Sequence, residues 1–201
     1  FQPGGPPSPP KIVADVGADT NHASLAMTPD NKPVIAYYST YDYGLYYAQK
    51  PGTTWSVVAV PVTGKPSHYH SATVDASGIP QITYVDSDTY ALNHVGHDGS
   101  TWTQTEVNTI RTYMVGARLT SDKAGTPWVM YGDNIRQTKY VGRWTGSEWT
   151  ETDASDSQKL SSDISIAMDS SGMPHAVVQN DAGEVRYGVY TRSGWQYSVL
   201  D

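Results

Sequence analysis

The chain has 201 residues, 38% hydrophobic and 16% charged, enough for one globular domain and too few for two comfortable ones. A net charge of −7, a pI near 5.2 and no basic stripe argue against nucleic acid, and no apolar run approaches the ~18 residues of a membrane span, so neither partner is expected. Cysteine is absent, which excludes disulfides, thiolate metal ligands and cysteine nucleophiles.

The first ten residues, "FQPGGPPSPP", are a Pro/Gly segment that cannot form helix or inner strand. They read as a linker or as the start left by cleavage, and export to an extracellular location is the expectation. "KIVA" at 11–14 reads as an outer-edge strand whose register the C-terminal "YSVLD" already fills. A surplus edge invites pairing with a neighbour, so a homo-oligomer is expected.

From there the chain repeats. Residues 14–201 number 188, which is four times 47, and Pro33, Pro80, Pro127 and Pro174 stand 47 apart. Trp55, Trp102 and Trp149 keep that spacing and Trp195 follows after 46; Tyr37, Tyr84 and Tyr131 share a register that Val178 takes in the fourth copy. The copies run at about 20–62, 67–109, 114–156 and 161–201 within a domain covering 11–201.

Each copy reads as four short strands. In the second, "HSATVDA" leads to an "SG" turn, then "PQITYVD", "ALNHVGH", a "DGS" turn and "TWTQTEV", with β-branched and aromatic residues between Gly, Asp and Ser. The proline opens the second strand, where a missing N–H costs least. Gly52, Gly99 and Gly146 stand three before each tryptophan, where a tight turn wants φ > 0. No stretch has helical periodicity, so helix content should be close to nil. The recurring tyrosines are expected between repeats, and the tryptophans near the rim.

Four-stranded units of 40–50 residues are the mark of a β-propeller blade. The expected fold class is therefore all-β, a propeller of four-stranded antiparallel blades, four in this chain. Closure of the four on themselves is the economical reading, and part of a larger ring the alternative. The turns "PGTTW", "DGSTW" and "TGSEW" resemble the Asp-box turn of the sialidase-type and the fungal and bacterial lectin-type propellers. The box's aspartate would fall at Lys50, His97 and Trp144, so turn and tryptophan are kept without the carboxylate. The resemblance implies the fold; sialidase chemistry does not follow, because the arginine cluster and Tyr/Glu pair have no counterpart.

In such a fold, the loops between blades and those between second and third strands gather on one face, where sites are grafted. Between blades these are "DTNH" 19–22, "PSHYH" 66–70, "RTYM" 111–114 and "LSSD" 160–163. Catalytic candidates are His22, His68, His70, Tyr69, Arg111 and Tyr113. His68 and His70 flank Tyr69 at strand alternation, which would turn both imidazoles to one side, as a metal pair or a base with its orienter. Ligand-binding candidates are Tyr41, Tyr43, Asp86, Asp88, Tyr90, Asp133, Arg136 and Asp163. No cofactor is called for. "DSD" at 86–88 has a spacing usable for a divalent cation such as calcium, but lacks the glycine turn and further ligands of an EF-hand; turn capping is the plainer role.

Few charges with many Tyr, Trp, Asn, Asp and Ser suit a carbohydrate or another small polar ligand, since rings stack on pyranose faces and amides bond hydroxyls. A secreted, lectin-like module is the leading expectation. The inter-blade loops differ in every copy, which favours one asymmetric central-face site over four equivalent ones. One alternative is a carbohydrate-active lyase or hydrolase using His, Tyr and Arg on that face. Another is a structural ring.

Overall fold

A computed structural model describes residues 22–108, 114–155, 160–180 and 182–200. Among them there is no helix; sixteen strands form four antiparallel sheets, each ordered as its strands follow in the chain. The first sheet holds β1 (Ala23–Met27), β2 (Pro33–Tyr38), β3 (Leu45–Gln49) and β4 (Ser56–Ala59). The second holds β5 (Pro66–Val74), β6 (Pro80–Asp86), β7 (Leu92–His97) and β8 (Trp102–Glu106). The third runs β9 (Met114–Ser121), β10 (Pro127–Asp133), β11 (Thr138–Trp144), β12 (Trp149–Asp153), and the fourth β13 (Leu160–Met168), β14 (Pro174–Asn180), β15 (Val185–Thr191), β16 (Gly194–Val199). The expected blades are thus present, and the chain is a β-propeller.

The four prolines open β2, β6, β10 and β14. Before three of them an aspartate ties the turn: Asp75 Oδ1 accepts from the amides of Ser77 and Ile79, Asp122 Oδ1 from Ala124 and Thr126, and Asp169 Oδ1 from Ser171 and Met173. Thr28 Oγ1 stands in the first blade and accepts from Lys32 N at 2.9 Å. An acceptor that binds two nearby amides holds a turn the backbone alone would leave open.

Successive blades pack face to face. β1 lies against β5, β5 against β9 and β9 against β13, with β2, β6 and β10 each reaching the first strand of the next blade. The first strands therefore converge at the centre. No junction of that extent joins β13 to β1 among the described residues. Each junction encloses one apolar cluster. At the repeated tyrosine register, Tyr84 and Tyr131 fill the first two clusters, fully buried, and Val178 stands in the third. Tyr84 donates its hydroxyl to the Thr63 carbonyl at 2.7 Å, while Tyr37 stacks on Tyr46 within its own blade. The repeated tryptophans wedge the outer edges, half-buried. Trp102 meets Tyr47 of the previous blade edge-on at 5.9 Å between ring centroids, and Trp149 meets His94 at 5.1 Å.

Candidate functional site

The second-to-third strand turns of the second and third blades are built on one plan. The last residue of β6, Asp86, is buried; its Oδ1 accepts from the amides of Asp88 (2.9 Å) and Thr89 (2.8 Å) and from Thr89 Oγ1 (3.0 Å). Its Oδ2 accepts from Lys65 N at 2.8 Å, and Ser87 N donates to the Lys65 carbonyl at 2.8 Å. One carboxylate thereby clamps the turn at 87–90 to the connection between the first two blades. Burial opposes its ionisation, but the amides of Lys65, Thr89 and Asp88 outweigh that cost and hold its pKa below the ordinary value. The approach requires Gly64, whose φ is +90° and where a Cβ would collide with Asp86 Oδ2. Asp133 repeats the plan in the third blade, its Oδ1 accepting from the amides of Ile135 (2.9 Å) and Arg136 (3.0 Å). In the first blade Asp42 accepts from Gly44 N at 3.0 Å and from the Tyr46 hydroxyl.

Each such turn ends on a residue in the left-handed region: Tyr43 (φ 58°), Tyr90 (φ 59°) and Gln137 (φ 53°), spaced by 47. A bulky residue there costs on the order of 1–2 kcal/mol over glycine, so its ring needs a reason to be there. Tyr43 and Tyr90 line the same cleft between the first and second blades, a half-open hollow of about 260 Å³. Tyr38, Val85 and Met114 form its buried floor, and Lys65, Ser67, Tyr69 and Ser87 bring polar groups. Lys65 Nζ sits 4.4 Å above the Tyr43 ring centroid, and burial holds the Tyr38 phenol neutral by raising its pKa.

Three of the residues expected at a site, Tyr43, Tyr69 and Tyr90, thus meet in one hollow. Tyr69 arrives there from β5, where the pairing with β6 shifts between Pro66 and His70. One expectation is corrected: "PSHYH" is strand rather than loop, with an irregular pairing between Pro66 and His70. His70 rejoins the ladder opposite Tyr84 and is buried, not a solvated loop imidazole. His68 lies in β5 with its side chain outside the described set. His22 is exposed ahead of β1, and Tyr41 and Asp88 are exposed at turns without lining the cleft. Asp86 and Asp133 face inward as the turn acceptors above, and Arg136 Nε lies 3.7 Å from Asp133 Oδ2. Arg111, Tyr113 and the segment "KIVA" lie outside the described residues, as does the side chain of Asp163 in β13. Among the described residues no three His, Asp or Glu side chains gather as a cation site would require.

Lys65 and Ser87 were missed by sequence reasoning. The signal for Lys65 was its place one residue after a glycine in an inter-blade connection; nothing local points to Ser87.

The cleft is not repeated down the chain. At the registers of Tyr38, Tyr43 and Tyr69, the second-to-third junction has Val85, Tyr90 and Gly116, and at those of Val85 and Tyr90 it has Gly132 and Gln137.

No protein-family model and no curated protein matches this chain. Solved structures do. A protein of unknown function from Dyadobacter fermentans aligns at TM-score 0.72 and 10% identity over 96% of this chain and 68% of its own. AofleA from Arthrobotrys oligospora aligns at 0.67 and 12% over 90% and 57%, and the Aleuria aurantia lectin bound to Fucalpha1-6GlcNAc at 0.63 and 14% over 91% and 63%. At such identities the likeness concerns the fold. The chain spans 57% to 68% of these three proteins' lengths.

Proposed function

We propose that this chain is an exported carbohydrate-binding module whose ligand occupies the tyrosine-lined cleft between the first two blades. The observation that carries the reading is the pair Tyr43 and Tyr90, each holding a left-handed backbone and each lining that cleft. The third blade keeps the same backbone with Gln137. What sets the first two blades apart is that a tyrosine ring stands at this turn position and lines the cleft, which suits the presentation of two rings to a ligand. Rings stack on the apolar faces of a pyranose, while Ser67, Ser87, Tyr69 and Lys65 offer donors and acceptors to its hydroxyls. The volume of about 260 Å³, just under that of drug-sized pockets, suits a single sugar unit. The Aleuria aurantia lectin, which shares the fold, binds a fucoside, and this supports the ligand class. Binding is favoured over hydrolysis because the lining residues include no Asp or Glu, and hydrolysis of a glycosidic bond ordinarily takes two carboxyls.

The test is a glycan array followed by calorimetric titration of retained sugars, fucosides included, into the wild type, Tyr43→Gly and Tyr90→Gly. Glycine fits the turn, so melting temperature should hold or rise while each lost ring weakens binding roughly 2- to 12-fold. An array that retains no glycan, or a double variant that binds like the wild type, would remove the cleft from consideration.

A further inference from the structure

Every internal junction joins the trailing face of one blade to the leading face of the next, and the repeat assigns each residue its place. On the leading face Ala72, Leu119 and Ile166 stand 47 apart and are 7%, 7% and 8% exposed, whereas Leu25, at the same register in the first blade, is 65% exposed. On the trailing face Ala36, Thr83 and Met130 are each 0% exposed, and Val177 at their register in the fourth blade is 39% exposed. The third strands agree. Leu45, Leu92 and Lys139 pair with Tyr38, Val85 and Gly132 and are 1%, 0% and 1% exposed, while Val185, in the equivalent pairing with Gln179, is 39% exposed.

These end residues are no more polar than their buried counterparts; what they lack, among the described residues, is a neighbouring blade. Around Val177 and Val185 lies a hollow of about 270 Å³, completed by Ile164, Ser165, Val178 and Gln179. In the third cluster Ile166 of the fourth blade packs with Met130 of the third. By register, Leu25 and Val177 are the two halves of that same contact, held at opposite ends of one chain.

We propose that a second copy of this chain docks head to tail, its Leu25 face seated on the Val177/Val185 face of the first. The occupant follows from the junction itself. The chain carries both complementary halves, and its three internal junctions show that such halves mate. The exposed apolar faces of the first and fourth described blades match the two sides of those internal junctions. Because two different faces meet, the contact is heterologous and propagates until the copies close into a ring.

The test is sedimentation equilibrium of residues 1–201 over about a hundredfold range of concentration. The wild type should exceed the 21.9 kDa of one chain. Leu25→Asp and Val177→Asp should each sediment as single chains with unchanged circular dichroism, since both positions are already exposed. Val185→Asp is a second block of the trailing face. Mixed in equal amounts, Leu25→Asp and Val177→Asp should form a species of two chains, because each keeps the face the other has lost. A wild type of one-chain mass throughout, variants that stay assembled, or a mixture that stays single-chained would each overturn the proposal.

Discussion

His94 offers a test of the junction cores that reads out in pH. It lies in β7, buried, with Nε2 2.8 Å from Gln81 Oε1 and its ring edge-on to Trp149 of the next blade. Burial pushes its pKa down from 6.5 to about 4. Between those two values the unfolded chain holds a proton that the folded chain does not, so stability rises with pH across this window. The contribution is complete above 6.5 and is lost as pH falls toward 4. At about 1.4 kcal/mol per pH unit the gap is worth about 3 kcal/mol, or 6–12 °C in a chain of this size. Carboxylates protonate in the same range, so the measurement is a difference. His94→Phe should be less stable than the wild type at pH 7 by roughly 1–3 kcal/mol, because Gln81 loses its partner. By pH 4 that deficit should shrink by about 3 kcal/mol, because phenylalanine has no proton to take up. Calorimetric scans of both proteins from pH 7 to pH 4 decide it. Parallel curves would mean that the imidazole is not held neutral by the junction, and the reasoning would fail.

Gly64→Ala should cost at least about 2 kcal/mol in urea unfolding, because its φ of +90° and the approach of Asp86 Oδ2 leave no room for a methyl group. It should also weaken ligand binding by shifting Lys65; stability equal to the wild type would refute the clamp. His70→Ala should cost about 2 kcal/mol, since loss of the buried ring opposite Tyr84 leaves a cavity. An unchanged melting temperature would show that the site collapses freely or that the ring contributes nothing.

The strands, their order within each blade and the number of blades were readable in the chain because the forces behind them are local. Pro33 and its three successors can only open a strand beside a turn, and Asp75, Asp122 and Asp169 bond amides within four residues of themselves. The period of 47 repeats those short-range choices, and a fold made of near-neighbour pairings inherits it. The turn role of Asp86 was legible in the same way, whereas Asp133 read from the sequence only as a ligand contact and its turn role came from the structure.

Only the packing of blades decided the rest. Tyr43, Lys65 and Tyr90 are brought into one cleft by the first blade meeting the second, and no spacing along the chain encodes that meeting. His70 looked like a loop residue because a shift in strand pairing is invisible to alternation, and its burial depends on a neighbour. Leu25 and Leu119 are the same residue at the same register, one open to solvent and the other buried. Their difference lies in what stands beside them, since burial belongs to the pair of surfaces in contact and not to either residue alone.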